Sequence, residues 1–370
     1  MIPRLTVCAA LAILALTASG CSILPDAPST PTPSTSTTAY TPRPTDTSGT
    51  VPLTGAGLSW QAERIDTWTA ALEDPRPQVT YTTGTTQSAR TQFAQGAVDF
   101  IGTDRTFTTS EVESTTFAGC SADGELVEIP VAISAISVVY NLPGVAELRL
   151  DASTVAGIFT GRITQWDDPA IEAQNPDVTL PDEKITPVHA TGPSGVTSNF
   201  TDYLSAAAEP VWTYGSVDRW PQLGGRGTTD VAGTVEGTVG AIGYVETTDV
   251  GELRAAVLRV GDEYIAASSR AAAGAVSIAE QSDEETSPTR VRVEIDRTPE
   301  EGAYPLAMVK YLIGCRSYRD PAVTAEVQAL FTSAVSVNGQ AGVTATGLMP
   351  VTGSLRIRAE VALALMGTDE

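Results

Sequence analysis

Apolar residues recur along this chain in two rhythms. Over residues 58–72, Trp60, Ile65, Trp68 and Leu72 return at helical spacing and predict a helix with one buried face. Residues 79–81 and 98–102 are short runs of strand length, and residues 88–95 between them read as a helix. Further on, residues 153–159, 196–207 and 230–236 read as helices and residues 241–245 as a strand. Strands alternating with helices predict an α/β fold with largely parallel sheets. The run EIPVAISAISVVY at residues 128–140 is apolar at nearly every position, so it reads as a strand buried on both faces that crosses between two lobes. YPLAMVKYLI at residues 304–313 is a second candidate crossing, and the acidic, polar segment 280–298 reads as a surface excursion.

The N-terminus carries Arg4, then an apolar run over residues 5–16. That run is shorter than the roughly 20 residues a membrane-spanning helix needs. Thr17, Ala18, Ser19 and Gly20 precede Cys21, which predicts a signal peptide over 1–20 and a lipid anchor on Cys21. An ordinary secretory signal that leaves Cys21 as a thiol is the alternative. Residues 21–50 are so rich in Pro, Ser and Thr that they predict a disordered tether. Cys8 leaves with the signal, so Cys120 and Cys315 remain. In an oxidising compartment they predict one disulfide, the alternative being two buried thiols.

No CxxC or His/Cys cluster is present, so no metal site and no cofactor are expected. A net charge of -22 argues against a nucleic-acid surface, and it means that any anion must be captured by local dipoles and hydrogen bonds. With no heptad pattern, a monomer is expected.

Many blocks, in order, resemble the periplasmic phosphate-binding proteins of ABC importers. They include GAGLSW at residues 55–60, GTD at 102–104, VVYNLPG at 138–144, GIFTGRITQWDDPAI at 157–171, VHATGPSGVTSNF at 188–200 and GAIGYVE at 240–246. The resemblance implies a two-lobed periplasmic-binding-protein-like (class II) fold with two hinge crossings. Lobe 1 is then expected over 51–132 plus 303–370, and lobe 2 over 133–302. Beyond Glu246 the likeness thins.

Carried onto this chain residue by residue, the resemblance implies ligand contacts from Ser59, Trp60, Thr86, Asp104, Ser194 and Gly195. Hydroxyls and amides at helix N-termini suit a small oxyanion. Asp104 resembles a carboxylate that accepts from a protonated phosphate oxygen. Three positions depart from the family loop: Ala190 stands for its Arg, Gly192 for its Asp and Val196 for its Thr. Pro193 also removes an N–H donor. Arg90 and Arg105 read either as a replacement cation or as solvated surface arginines. His189, the only histidine, reads as structural, and no activated nucleophile marks an enzyme. These residues point to an extracytoplasmic, lipid-anchored solute-binding protein that passes inorganic phosphate or another small oxyanion to an ABC permease. The alternative is a lipoprotein on the same scaffold that has lost or changed its ligand and acts in sensing or cell-envelope interaction.

Overall fold

The computed structural model describes residues 44–45, 49–278 and 287–368. The expected signal, Cys21 and nearly all of the tether lie outside them. No helix among the described residues is long and apolar enough to cross a membrane.

One mixed sheet organises the chain. Its strands run in the order Val79–Thr83, Leu53–Gly57, Phe100–Thr103, Ala307–Cys315, Leu126–Tyr140, Ala241–Glu246, Thr186–Ala190 and Arg226–Thr228. The first three are mutually parallel, and so are the last three. Between these groups lie two mutually antiparallel strands, of which Leu126–Tyr140 pairs into both halves.

The long strand Leu126–Tyr140 is buried at all fifteen positions, as its near-continuous apolar sequence predicts. It changes partner midway. Leu126 to Ala135 face Cys315 to Ala307, whereas Ile136 to Tyr140 face Glu246 to Ile242. The returning segment is anchored at this switch: the Tyr304 hydroxyl donates to the Ile136 carbonyl, and the Ile136 N–H donates to the Leu306 carbonyl. Pro130 cannot donate to a ladder, and the register between the two strands slips beside it, at Lys310/Tyr311.

Helices cover the faces. Ser59–Ala70 buries Gln61, Arg64, Ile65 and Trp68, a stripe at helical spacing. Phe100 meets Phe331 edge to face in the first half. Phe159, Phe200, Trp220 and Tyr244 cluster in the second, with Phe200 stacked on Tyr244 at 4.1 Å. Cys120 and Cys315 form a disulfide across 195 residues of sequence, at the outer end of the returning strand.

The segment read as a surface excursion is only partly described, and what is described corrects that reading. Val293–Ile295 pairs with Val276–Ile278, and Arg290 is buried on the carboxylate of Glu128 at 2.6 Å. Phe107 completes the cluster, its N–H donating to Glu128 and its carbonyl accepting from Arg290. Burial pushes the Glu128 carboxyl up, and Arg290 pulls it back. A buried carboxylate is tolerable only with such partners.

Candidate functional site

The three parallel strands of the first half end side by side, with Gly57 opposite both Thr83 and Gly102. The turns beyond such carboxyl ends are where ligands bind in open α/β sheets. Gly57 is required for the packing here. Its φ is +146°, and a Cβ would lie 2.0 Å from the Gly102 carbonyl oxygen and 2.5 Å from the Tyr81 hydroxyl.

From these edges rise the turns that carry Ser59, Thr86 and Asp104. Ser59 is exposed and is the first residue of its helix rather than the residue before it. Leu58 occupies the N-cap and offers no side-chain cap, which leaves the first-turn amides of this twelve-residue helix without one. Thr85, not Thr86, caps the next helix, accepting from the Ser88 N–H. Thr86 is thereby released, and its hydroxyl donates to Asp104 Oδ1 at 2.7 Å with both side chains buried.

Asp104 reaches the second half. Its carboxylate lies against Gly195, where an added Cβ would come within 2.0 Å of Asp104 Cγ and Oδ1. Gly195 opens the helix Gly195–Ala207, and Ser194 caps it, accepting from the Thr197 N–H at 3.4 Å. A hydroxyl that accepts in a cap keeps its own proton to donate. The Ser194 N–H is fixed on the Asp218 carbonyl. Thus Thr86, Asp104 and Gly195 form one contiguous junction with Ser194 beside them, while Ser59 stands on the same strand edge. Trp60 plays a different part. Its indole N–H donates to Thr346 Oγ1 and its ring packs edge-on to Trp68 at 6.1 Å, which leaves its backbone N–H as the group it can offer a ligand.

Both flanking arginines are engaged by acidic side chains. Arg90 is 5% exposed, paired with Glu111 at 2.6 Å and stacked over Phe107, so the solvated reading is overturned by burial against an aromatic face. Arg105 is half-buried, bonds both oxygens of Glu111 and reaches Asp218 at 3.5 Å. The Glu111 carboxyl is raised by desolvation but lowered more by Arg105, the Thr108 N–H and Arg90, to about 2.

Where the loop departs from the family, space remains. A Cβ at Gly192 would meet nothing within 4 Å. Ala190, Ser194 and Val196 line a cavity of about 290 Å³ together with Thr229, Asp230, Val231, Ala232, Tyr244, Val245, Glu246 and Asp249. Lys310 pairs with Glu246 at 2.6 Å, and Ser134 donates to the other carboxylate oxygen. Desolvation, then the Glu246 charge, raises the Asp249 carboxyl above its ordinary value. His189 stacks on Trp220 at 5.0 Å, and its Nδ1 lies 3.0 Å from the Ala190 carbonyl oxygen.

Arg297 is the residue that sequence reasoning missed. It is 7% exposed, and Nε donates to Asp202 at 2.8 Å. Nη2 donates to Asn199, and Nη1 to the carbonyls of Pro305 and Ala307. It therefore braces the helix that carries Gly195 against the returning strand. A second cavity of about 260 Å³ lies there, lined among others by Asp104, Arg105, Ser198 and Arg297. An isolated arginine in an acidic stretch carries no periodicity that marks it as buried.

A family model described as PBP superfamily domain matches residues 30–333. The chain is 30% identical over 336 residues to phosphate-binding protein PstS 3 of Mycobacterium tuberculosis, covering 88% of this chain and 90% of the relative. It is 30% identical over 319 residues to phosphate-binding protein PstS of Xylella fastidiosa, covering 83% and 84%. Among solved structures, a high-affinity periplasmic phosphate-binding protein bound with phosphate aligns with a TM-score of 0.62 at 17% identity, over 83% of this chain and 92% of that one. A phosphate-binding protein from Stenotrophomonas maltophilia aligns at 0.60 and 19%, over 84% and 93%. These two share the fold. Matching family model, identity over most of both chains and the two-half sheet agree: the chain belongs to the PBP superfamily, as a PstS-like member of its periplasmic phosphate-binding branch.

Proposed function

We propose that this protein is an extracytoplasmic, lipid-anchored solute-binding protein that captures a small oxyanion, phosphate foremost, and hands it to the permease of an ABC importer. It makes and breaks no covalent bond. What supports the reading is the junction of Thr86, Asp104 and Gly195, with the capped helix start at Ser194 beside it and the uncapped one at Ser59 following a strand of the same sheet edge. Helix N-termini supply amide donors and the positive ends of helix dipoles, which is the means by which a strongly acidic chain can hold an anion. Asp104 sets selectivity, because an acceptor facing the ligand favours an oxyanion that still carries a proton over sulfate.

Titration calorimetry of the purified protein with phosphate and sulfate tests this. Phosphate is expected to bind with micromolar or tighter affinity and sulfate at least tenfold more weakly. Equal affinities remove the role given to Asp104, and no heat with either anion removes the transport reading. The changed-ligand reading is favoured by one observation, the unfilled space beside Ala190 and Gly192. Silence toward inorganic phosphate alongside binding of another solute decides for it.

A further inference from the structure

The cavity of about 260 Å³ beside Arg297 has Asp104 itself in its wall and is built from both halves. Asp104 and Arg105 come from the turn after Phe100–Thr103, Ser198 and Asp202 from the helix Gly195–Ala207, and Tyr311 from the returning strand Ala307–Cys315. Strand register sets Tyr311 opposite Thr103, the residue before Asp104. Asp104 joins this space to the junction described above, because the same carboxylate accepts from Thr86 and lies against Gly195.

Two buried side chains bring unpartnered polar atoms to the cavity. Tyr311 and Asp104 are each 6% exposed. The Tyr311 hydroxyl makes no hydrogen bond among the described residues, and it is not among their fully enclosed polar atoms, so it opens on the cavity that its side chain lines. Thr86 occupies Oδ1 of Asp104, and no described residue donates to Oδ2. A phenylalanine would fill the place of Tyr311 without burying a polar atom, so packing alone does not account for the hydroxyl. Burial pushes the phenol up, so it keeps its proton and acts as a donor. The arginines in the wall have other tasks. Arg297 donates to Asp202, Asn199 and two carbonyls, while Arg105 holds both oxygens of Glu111 and reaches Asp218.

We propose that Tyr311 is a ligand-binding residue whose phenol donates to one oxygen of the oxyanion in this cavity, while Asp104 accepts from a protonated oxygen of the same group. This rests on the oxyanion reading above and adds a donor that comes from the returning strand rather than from the loop at Ala190. The pair presents one donor and one acceptor, which matches a tetrahedral oxyanion that keeps a proton, as phosphate does and sulfate does not. A volume near 260 Å³ is below the roughly 300–1,000 Å³ of pockets for larger organic ligands and suits such an ion with a few waters.

Calorimetry of the purified protein and of Tyr311→Phe with inorganic phosphate and sulfate, with urea unfolding of both in the absence of ligand, tests the assignment. Tyr311→Phe removes one oxygen that no described residue uses, so its unfolding midpoint is expected to be no lower than that of the parent. Phosphate is expected to bind it at least tenfold more weakly, the loss that a hydrogen bond to a charged group predicts. If the parent binds phosphate and the substitution weakens it by less than tenfold, the inference falls and the oxyanion reading stands. If the parent binds neither anion, both fall. A substituted protein that loses phosphate but also unfolds at lower urea without ligand overturns the inference too, because the hydroxyl then serves the fold.

Discussion

Gly195→Ala separates a helix-propensity argument from a packing argument, because the two predict opposite signs. In a helix interior, alanine is ordinarily favoured over glycine by about 0.8–1.0 kcal/mol, and at the first helical position, where Gly195 stands, the preference has the same sign but is smaller. Here the new Cβ would lie 2.0 Å from Asp104 Cγ and Oδ1 and 2.3 Å from Oδ2. Carbon atoms in contact settle at about 3.5–4.0 Å, so the carboxylate or the helix must retreat by roughly 1.5 Å. The carboxylate is held at 2.7 Å by the Thr86 hydroxyl and is 6% exposed, so retreat breaks that bond or parts the two halves. A hydrogen bond to a charged group contributes about 1.5–3 kcal/mol, equivalent to roughly a ten- to hundredfold loss in the equilibrium it supports. Gly192→Ala is the control, since a Cβ there meets nothing within 4 Å. Urea unfolding followed by fluorescence, with ligand titration alongside, is the assay. Gly195→Ala should lose about 1–3 kcal/mol of stability and bind at least tenfold more weakly, with Gly192→Ala within about 0.5 kcal/mol of the parent. If Gly195→Ala is as stable as the parent and binds as well, Asp104 does not meet this helix and the junction described above is wrong.

Removing Glu128 as Glu128→Ala strands Arg290 in the interior and should cost about 3–5 kcal/mol in urea unfolding, whereas Glu128→Met with Arg290→Met should recover most of that loss. Arg297→Met should loosen the helix that presents Gly195 and weaken ligand binding about tenfold, with a smaller effect on global unfolding because Asp202 is half-exposed and regains water. For Glu111 the folded carboxyl titrates near 2, below its ordinary value of 4.5. A depressed folded value means that its stabilisation is complete above the unfolded value and is lost as pH falls from about 4.5 toward 2, so Glu111→Gln should flatten the stability profile in that window and leave its shape near neutrality unchanged.

The elements that bury a contiguous stripe or run were legible from pattern alone. Residues 128–140 announced a doubly buried strand, and the helix at Trp60, Ile65 and Trp68 showed its face. Helix starts were less legible, because the rule that favours Ser or Thr caps does not say which of two adjacent hydroxyl residues takes the position. Thr85 takes it and frees Thr86 for Asp104. In front of Ser59 the cap is a leucine, which no capping preference selects. The buried arginines were hidden for a different reason. Arg290 and Arg297 owe their burial to partners 162 and 95 residues distant, and a charged residue in a polar stretch looks the same whether water or a distant carboxylate receives it. Within the site, the strand-edge placement of Ser59, Thr86 and Asp104 followed from their turns, while the acids around the space left by Ala190 come from a later strand and its neighbouring loops.

The strand Leu126–Tyr140 gives its first ten residues to one half and its last five to the other without a break in chain or pleat. Neither half is therefore a self-sufficient piece that can be expressed alone by cutting between them. A fragment ending before this strand forfeits the neighbour of Ala307–Cys315, and a fragment starting after it leaves the edge of Ala241–Glu246 bare. Swapping one half between related proteins will succeed only when the junction is placed so that this single strand travels whole.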